Sequence, residues 1–222
     1  MVNIVGRLQS SFPSHQLDVI IGSLLGDARL ECRSIGLCSP VTARFRVHHG
    51  EKQKEYVFWK YKVLQNLVSK RPREISWTNP KRNIHEVSWY FHTKSLEEFG
   101  MIHACFYKNS VKILPEEVFD LFTPKMMAIW FMDDGANTVQ SFTLSTHSFR
   151  ESEQYMIRTF LKERYDVSAT IIKDRSKQKI HIGRNDYEKF KAIIQPYIIP
   201  SMIYKIDSPR NDLIGKTIGM QG

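Results

Sequence analysis

Cysteine is scarce in this chain: Cys32, Cys38 and Cys105 are the only three. An odd number cannot all pair, and so small a number excludes a disulfide scaffold, so a reducing compartment is expected. Cys32 and Cys38, with His48 and His49 further on, have a spacing that matches none of the usual zinc patterns. Long apolar runs are missing as well. No stretch approaches the roughly 18–20 residues that span a bilayer, which argues against a membrane anchor. The start of the chain, Met1-Val2-Asn3-Ile4-Val5-Gly6-Arg7, lacks the apolar core and cleavage site of a secretory signal and the Arg and Ser richness of a transit peptide. The protein is therefore expected to act where it is made and not to be secreted. A prokaryotic cytoplasm and the interior of an organelle, mitochondrion or chloroplast, both remain open. No Walker loop, dinucleotide glycine pattern or Ser/His/Asp elbow is found.

What the chain does hold is apolar residues and positive charge. Of its 222 residues, 42% are hydrophobic and 12% aromatic, enough for a proper core in one domain or in two small equivalent ones. Lys and Arg number 32 against 23 Asp and Glu, a net charge of +9. Such a surplus points to a polyanion partner: DNA, RNA or an anionic membrane surface.

The first half reads as helix, two strands, helix, two strands, helix. Ser14 is placed to cap a helix running to about Asp27. After a loop from Arg33 to Pro40, a strand over 42–49 puts Arg44, Arg46 and His48 on one face and Phe45 and Val47 on the other. Apolar residues at Val57, Tyr61, Leu64 and Val68 keep helical spacing over 51–69. A short strand follows, ending at the Asn79-Pro80 turn. Along 85–92, Val87, Trp89 and Phe91 alternate with Glu86, Ser88 and Tyr90.

The second half repeats the plan. Thr123-Pro124 is a helix start, an N-cap followed by Pro at the first helical position, and Gly135 stops that helix. The next strand places Phe142 and Leu144 inward and Ser141, Thr143, Ser145 and His147 outward. A helix over 151–165 leads to a hairpin, strands 168–174 and 177–183 about the turn Arg175-Ser176, in which Lys177, Lys179 and His181 share a face. A last helix from Asp186 ends near Pro196, and an irregular tail runs from 206 to 222. We read an internal duplication at low identity: a first subdomain over 1–110, a linker over 111–123 and a second subdomain over 124–222.

Two short segments carry the repeat: Ile20-Ile21-Gly22-Ser23-Leu24-Leu25-Gly26-Asp27-Ala28 and Met127-Ala128-Ile129-Trp130-Phe131-Met132-Asp133-Asp134-Gly135. Each is an apolar helix that closes on an acid followed by a small residue. The C-terminal end of a helix carries partial negative charge and prefers cations, so an acid there needs a reason. One reading is a carboxylate hydrogen-bonded to loop amides. The other, favoured by its recurrence at matching places, is a cation held against it, a divalent metal first of all. Gly22 and Gly26 lie one turn apart on one face. A helical glycine costs about 1 kcal/mol relative to Ala, which suggests close packing against another backbone. Packing of the two motif helices side by side would bring Asp27 and Asp134 together, where two carboxylates repel unless protonated or metal-bound. Ile129 and Asp133 stand where the first motif has Gly22 and Gly26, and alignment with Asp27 favours Asp134 over Asp133 as the ligand. The outward strand residues Arg44, Arg46, His48, Lys177, Lys179 and His181 read either as solvated sheet surface or as a nucleic-acid face. The net charge favours the latter.

The paired acidic helices resemble the motifs of the LAGLIDADG homing endonucleases in their single-chain form. Trp130-Phe131-Met132-Asp133-Asp134-Gly135 is similar to the second motif of intron-encoded members. Lys112-Ile113-Leu114-Pro115 with Leu121-Phe122-Thr123-Pro124 resembles the interdomain stretch, and Pro200-Ser201-Met202-Ile203-Tyr204-Lys205 the end segment, so the resemblance covers roughly residues 14–206. It implies an α/β (α+β) fold of two pseudo-symmetric αββαββα subdomains whose antiparallel sheets form a DNA-binding saddle. It implies that Asp27 and Asp134, next to Gly26 and Asp133, bind magnesium, with manganese as substitute, and that Lys112 and Lys205 stabilise charge or order water. Residues near Arg46 and Ser145 match places of polar active-site side chains. The implied activity is double-strand cleavage of a long asymmetric DNA target by a monomer, leaving short 3′ overhangs. The rival on the same scaffold is an intron maturase with RNA as partner. A transcription regulator lacks an appended helix-turn-helix here, and a ribosomal protein leaves the twin acids unexplained.

Overall fold

Period-two and period-3.6 patterning lay out nearly every element. The computed structural model describes residues 4–35, 37, 41–80 and 83–207. Cys38 and the tail beyond Asp207 lie outside the described residues. The chain divides into two units, Met1–Ser110 and Val111–Gly222.

In the first unit, helices α1 (Ile4–Ser11) and α2 (Ser14–Leu25) precede strands β1 (Arg29–Glu31) and β2 (Arg44–Gly50). Then come α3 (Lys54–Leu64), β3 (Arg73–Asn79), β4 (Ile84–His92), α4 (Glu97–Phe106) and β5 (Tyr107–Lys108). The sheet is antiparallel in the order β1-β2-β4-β3. The second unit contains β6 (Val111–Lys112), α5 (Val118–Leu121), α6 (Pro124–Asp134), β7 (Gly135–Asn137) and β8 (Phe142–Leu144). It continues with α7 (Glu151–Tyr165), β9 (Ala169–Asp174), β10 (Lys177–Ile182), α8 (Tyr187–Ile194) and α9 (Tyr204–Asp207). Its sheet has the equivalent order, β7-β8-β10-β9, also antiparallel. Each unit thus carries the expected αββαββα plan.

The helix starts differ in mechanism. At α6, Thr123 Oγ1 accepts from the Met126 amide at 3.1 Å and Pro124 occupies the first turn, as the sequence indicates. At α2 the expectation of a Ser14 cap fails. Pro13 holds the cap position and its carbonyl accepts from the Gln16 and Leu17 amides at 2.9 and 3.0 Å, so Ser14 is already helical. Both motif helices are buried around their whole circumference, Gln16 to Leu25 in α2 and Met126 to Asp133 in α6. That is the expected environment for a helix with no polar face.

Each sheet buries one face. Phe45, Val47 and Phe91 meet Tyr56, Val57 and Leu64 of α3 and Phe99 of α4, with the Phe45 and Phe99 rings stacked 6.0 Å apart. In the second unit Phe142, Leu144, Ile180 and Ile182 are fully buried, and Phe142 stacks on Tyr187 at 4.5 Å. The opposite face of the first sheet carries Arg44, Arg46 and His48, whose cross-strand neighbours are Arg29, Glu31, His92 and Tyr90. Glu31 sits at the centre of this cluster: its carboxylate pairs with Arg29 at 2.8 Å, Arg44 at 2.6 Å and Arg46 at 3.2 Å. Burial pushes the carboxyl up, but hydrogen bonds from the three guanidinium groups outweigh it and hold the group down at about 2.

The segment before α5 is tied to α7 by one side chain. Buried Glu153 accepts from the Arg150 amide at 2.6 Å, closing the N-terminus of α7, and from the Leu114 amide at 2.9 Å.

Two stability measurements follow from these contacts. Glu153→Ala leaves a buried amide unpaired and uncaps α7, so the unfolding free energy from urea titration should fall by about 2–3 kcal/mol. For Glu31, the folded carboxyl ionises at about 2 and the free side chain at 4.5, so its stabilising contribution is complete above pH 4.5 and lost as pH falls toward 2. Melting temperatures of Glu31→Gln should therefore decline less steeply than wild type across that window.

Candidate active site and nucleic-acid interface

The end of α2 is built to present one acid. The Gly26 and Ala28 amides both turn back to the Ser23 carbonyl, at 3.1 and 2.9 Å, which closes the helix and leaves Asp27 projecting from the turn. Its side chain is 45% exposed. Behind it lies a chain of buried polar groups. Asp27 Oδ2 is 3.5 Å from His49 Nδ1, and His49 Nε2 is 3.2 Å from Lys60 Nζ. Lys60 is fully buried and sits over the Tyr56 ring at 4.2 Å, an arrangement that stabilises an ammonium away from water. An ammonium has no lone pair, so with Lys60 charged the imidazole Nε2 accepts and the ring proton lies on Nδ1, directed at Asp27.

Beside Asp27 opens a cleft of about 250 Å³ lined by Asp27, Arg29, Arg46, His48, His49, Gly50 and Gln53. One carboxylate, two guanidinium groups and several neutral donors make it a receptor for an anion next to a cation. Burial, and after it the charge of Arg46, pushes His48 below the ordinary histidine range, so its ring is neutral; it is 2.9 Å from Ser88 Oγ.

In the second unit, α6 ends on Asp133, buried, and Asp134, half-buried. The carbonyl end of the helix is met by a cation: Lys205 Nζ donates to the Asp133 and Gly135 carbonyls at 3.0 and 3.1 Å. Helix α9, which carries Lys205, is fastened by Asn137, whose amide donates to the Ile206 carbonyl at 2.8 Å and to the Tyr187 hydroxyl at 3.2 Å. The Ser145 amide donates to the Asp134 carbonyl at 3.0 Å. Gly135 has no room for a side chain, because a Cβ there would lie 2.1 Å from the Phe131 ring. Lys112 lies on β6, half-buried.

The expected strand faces are largely as the alternation indicates. Arg44, Arg46 and His48 lie opposite Phe45 and Val47, and Lys177, Lys179 and His181 opposite Ile180 and Ile182. Burial, then the Lys179 charge, also lowers His181, giving the second sheet a neutral imidazole. Ser145 and His147 are partly open. Ser141 and Thr143 are not the open surface residues expected. Both are at least nine-tenths buried. Ser141 turns into the β7–β8 connection, where its hydroxyl donates to the Thr138 carbonyl at 3.0 Å. Thr143 sits on an inner strand, flanked by Ala136 and His181. Asp174 engages Lys179 at 3.0 Å and His147 at 3.1 Å.

Sequence reasoning missed Arg29, Glu31, His49, Gln53 and Lys60. Two of them leave a trace. His49 continues the buried face of β2 after Phe45 and Val47, and Lys60 stands one turn from Tyr56 and Val57 on the buried face of α3. A titratable residue at an apolar position of each pattern is the signal.

Comparisons with known proteins point to one family. The LAGLIDADG DNA endonuclease family matches residues 17–190. The DNA endonuclease I-ChuI of Chlamydomonas applanata is 30% identical over 213 residues, covering 88% of this chain and 96% of its own. The cytochrome b mRNA maturase bI2 of Debaryomyces hansenii is 28% identical, covering 86% of this chain and 72% of its own. Among solved structures, the homing endonuclease I-WcaI bound to its DNA recognition sequence shares the fold, with a TM-score of 0.79, 24% identity and 91% of each chain covered. I-DmoI, solved in complex with DNA and manganese, superposes at a TM-score of 0.50 with 14% identity, over 82% of this chain and 96% of its own. With its two acid-ended helices and its family match over most of its length, the chain belongs to the LAGLIDADG DNA endonuclease family.

Proposed function

We infer that this chain is a site-specific DNA endonuclease that hydrolyses phosphodiester bonds with divalent metal ions, and that Asp27 and Asp134 hold those ions. One observation carries the reading: Asp27 follows a helix buried from Gln16 to Leu25 yet opens on a cationic cleft, with His49 and Lys60 ordered behind it. The donor set suits a hard cation such as magnesium, or manganese in its place, because such ions favour carboxylate oxygens. Asp27 and Asp134 would hold a divalent ion there, which would supply charge neutralisation at the phosphate and a more acidic bound water.

The remaining work falls to the chain's own side chains. Arg29 and Arg46 give the wall of the cleft a positive field that draws DNA toward it, and Gln53 offers a phosphate a neutral donor. His49 fixes the orientation of Asp27 through its Nδ1 proton, and Lys60 fixes the tautomer of His49. Lys205 holds the end of α6, and with it the direction in which Asp134 is offered; Lys112 adds positive charge toward the phosphate. The subdomains 1–110 and 124–222, joined by 111–123, each supply one acid and one polar sheet face. Arg44, Arg46, His48, Ser145, His147, Lys177, Lys179 and His181 contact DNA, with Thr143 and Ser141 supporting them. Two acids, one for each strand, produce a double-strand break with short 3′ overhangs in a long asymmetric target bound by a monomer. The site of action is the compartment of synthesis, prokaryotic cytoplasm or organelle interior.

The likeness to a yeast mRNA maturase supports a second reading, in which the scaffold binds intron RNA. Retention of an acid at both motif ends favours DNA cleavage.

Cleavage of a randomised duplex library with magnesium tests this. Wild type should cut. Asp27→Asn and Asp134→Asn should each lose more than the roughly 100-fold that removal of an outer-shell partner costs, while retaining DNA affinity. Asp133→Asn run alongside assigns the second ligand. An inactive wild type in magnesium and manganese overturns the nuclease reading. Lys205→Ala, which removes two hydrogen bonds from a charged donor, should slow cleavage by about tenfold or more and weaken DNA binding less. A fall in affinity alone would make Lys205 a phosphate clamp.

A further inference from the structure

A carboxylate at the centre of a surface meant for a polyanion calls for an explanation. Glu31 is that carboxylate. It lies on the polar face of the first sheet, directly across from Arg44, and its two oxygens receive hydrogen bonds from three arginines. Arg29 donates through Nε and Nη2 at 3.1 and 2.8 Å, Arg44 through Nε at 2.8 Å, and Arg46 through Nη1 at 3.2 Å. Arg46 is pinned a second time, over the Tyr90 ring at 5.1 Å.

An arginine loose on such a face loses rotamer freedom when it binds, and it finds phosphates more readily than bases. Phosphate contacts carry no sequence information. The Glu31 carboxylate changes both terms. It fixes three guanidinium groups before DNA arrives, and its own charge opposes the approach of a phosphate to the same spot. A guanidinium has five N–H donors, of which the contacts with Glu31 occupy only one or two, so each arginine keeps donors for a further acceptor. The acceptors that fit a fixed fork without bringing a full negative charge are N7 and O6 of guanine in the major groove. Arg29 and Arg46 also line the cleft beside Asp27, which places the cluster next to the chemistry.

Building on the endonuclease reading above, we propose that Glu31 is a specificity-determining positioning residue: it arrays Arg29, Arg44 and Arg46 to read guanine at the two or three base pairs that adjoin the cut in one half-site. The second sheet offers a contrast. There Asp174 holds Lys179 and His147, and an ammonium has no planar fork, so that cluster orders charge without arraying rigid bidentate donors.

The test is the cleavage profile on a randomised duplex library, compared among wild type, Glu31→Gln and Arg44→Lys. Wild type should show a guanine preference at adjacent positions near the cut. Glu31→Gln should reduce it about tenfold at those positions, leave the rest of the profile unchanged, and steepen the salt dependence of binding as the freed arginines turn to phosphates. Arg44→Lys keeps the charge and loses the fork. It should relax the same positions, so the proposal stays testable if Glu31→Gln folds poorly. Three results overturn it: profiles of both variants matching wild type, relaxation spread evenly over the target, or loss of all cleavage in a folded Glu31→Gln. A wild type that cuts no DNA instead removes the endonuclease reading itself, and the two failures are thereby told apart.

Discussion

An α-helix that ends in acids works against its own electrostatics, and the rest of the site follows from how that conflict is resolved. The last carbonyls of α6 carry partial negative charge, and Asp133 and Asp134 add to it. The Lys205 ammonium, donating to the Asp133 and Gly135 carbonyls, answers the backbone half of the problem. It can do so only because α9 is held in place by Asn137 through the Ile206 carbonyl. At α2 the resolution is different. The backbone closes on the Ser23 carbonyl, and the electrostatic support for Asp27 comes sideways, from His49 and, behind it, Lys60. One problem thus has two local solutions in the two units.

Both solutions draw on the burial of the elements around them. A lysine with no exposed surface is expensive unless something replaces its water. Tyr56 offers the face of its ring, and His49 an acceptor. The same principle shapes the sheet surface, where Glu31 and Asp174 keep cationic side chains in place and burial keeps His48 and His181 neutral. These faces are accordingly less of a bare positive field than the net charge alone suggests. They consist of ordered ion pairs with neutral hydrogen-bonding groups between them.

Much of this was legible in the sequence, and the boundary has a physical cause. Local periodicity marked α7 with both its ends, the Thr123-Pro124 start of α6, and the outward set Arg44, Arg46 and His48, because each depends on residues within a few turns or strand steps of one another. The Glu31 cluster depends on the register of β1 against β2, set across an intervening loop. The contact of His49 with Lys60 joins a strand to the helix after it, and Lys205 reaches α6 from some 70 residues away in sequence. No period reports such meetings. Thr143 shows the reverse error: alternation sorted it correctly to the face opposite Phe142 and Leu144, but whether an inner strand's second face is open is not a local property.

The cluster around Glu31 has a bearing on how such proteins recombine. Its acid and Arg29 are on β1 and its other two bases on β2, so a crossover between the strands would leave a half-buried carboxylate with one guanidinium in place of three. Exchange of β2 alone therefore removes two of the three contacts, whereas exchange of the β1–β2 pair keeps all three together. In grafting, the unit to move on this surface is the strand pair and not the single strand.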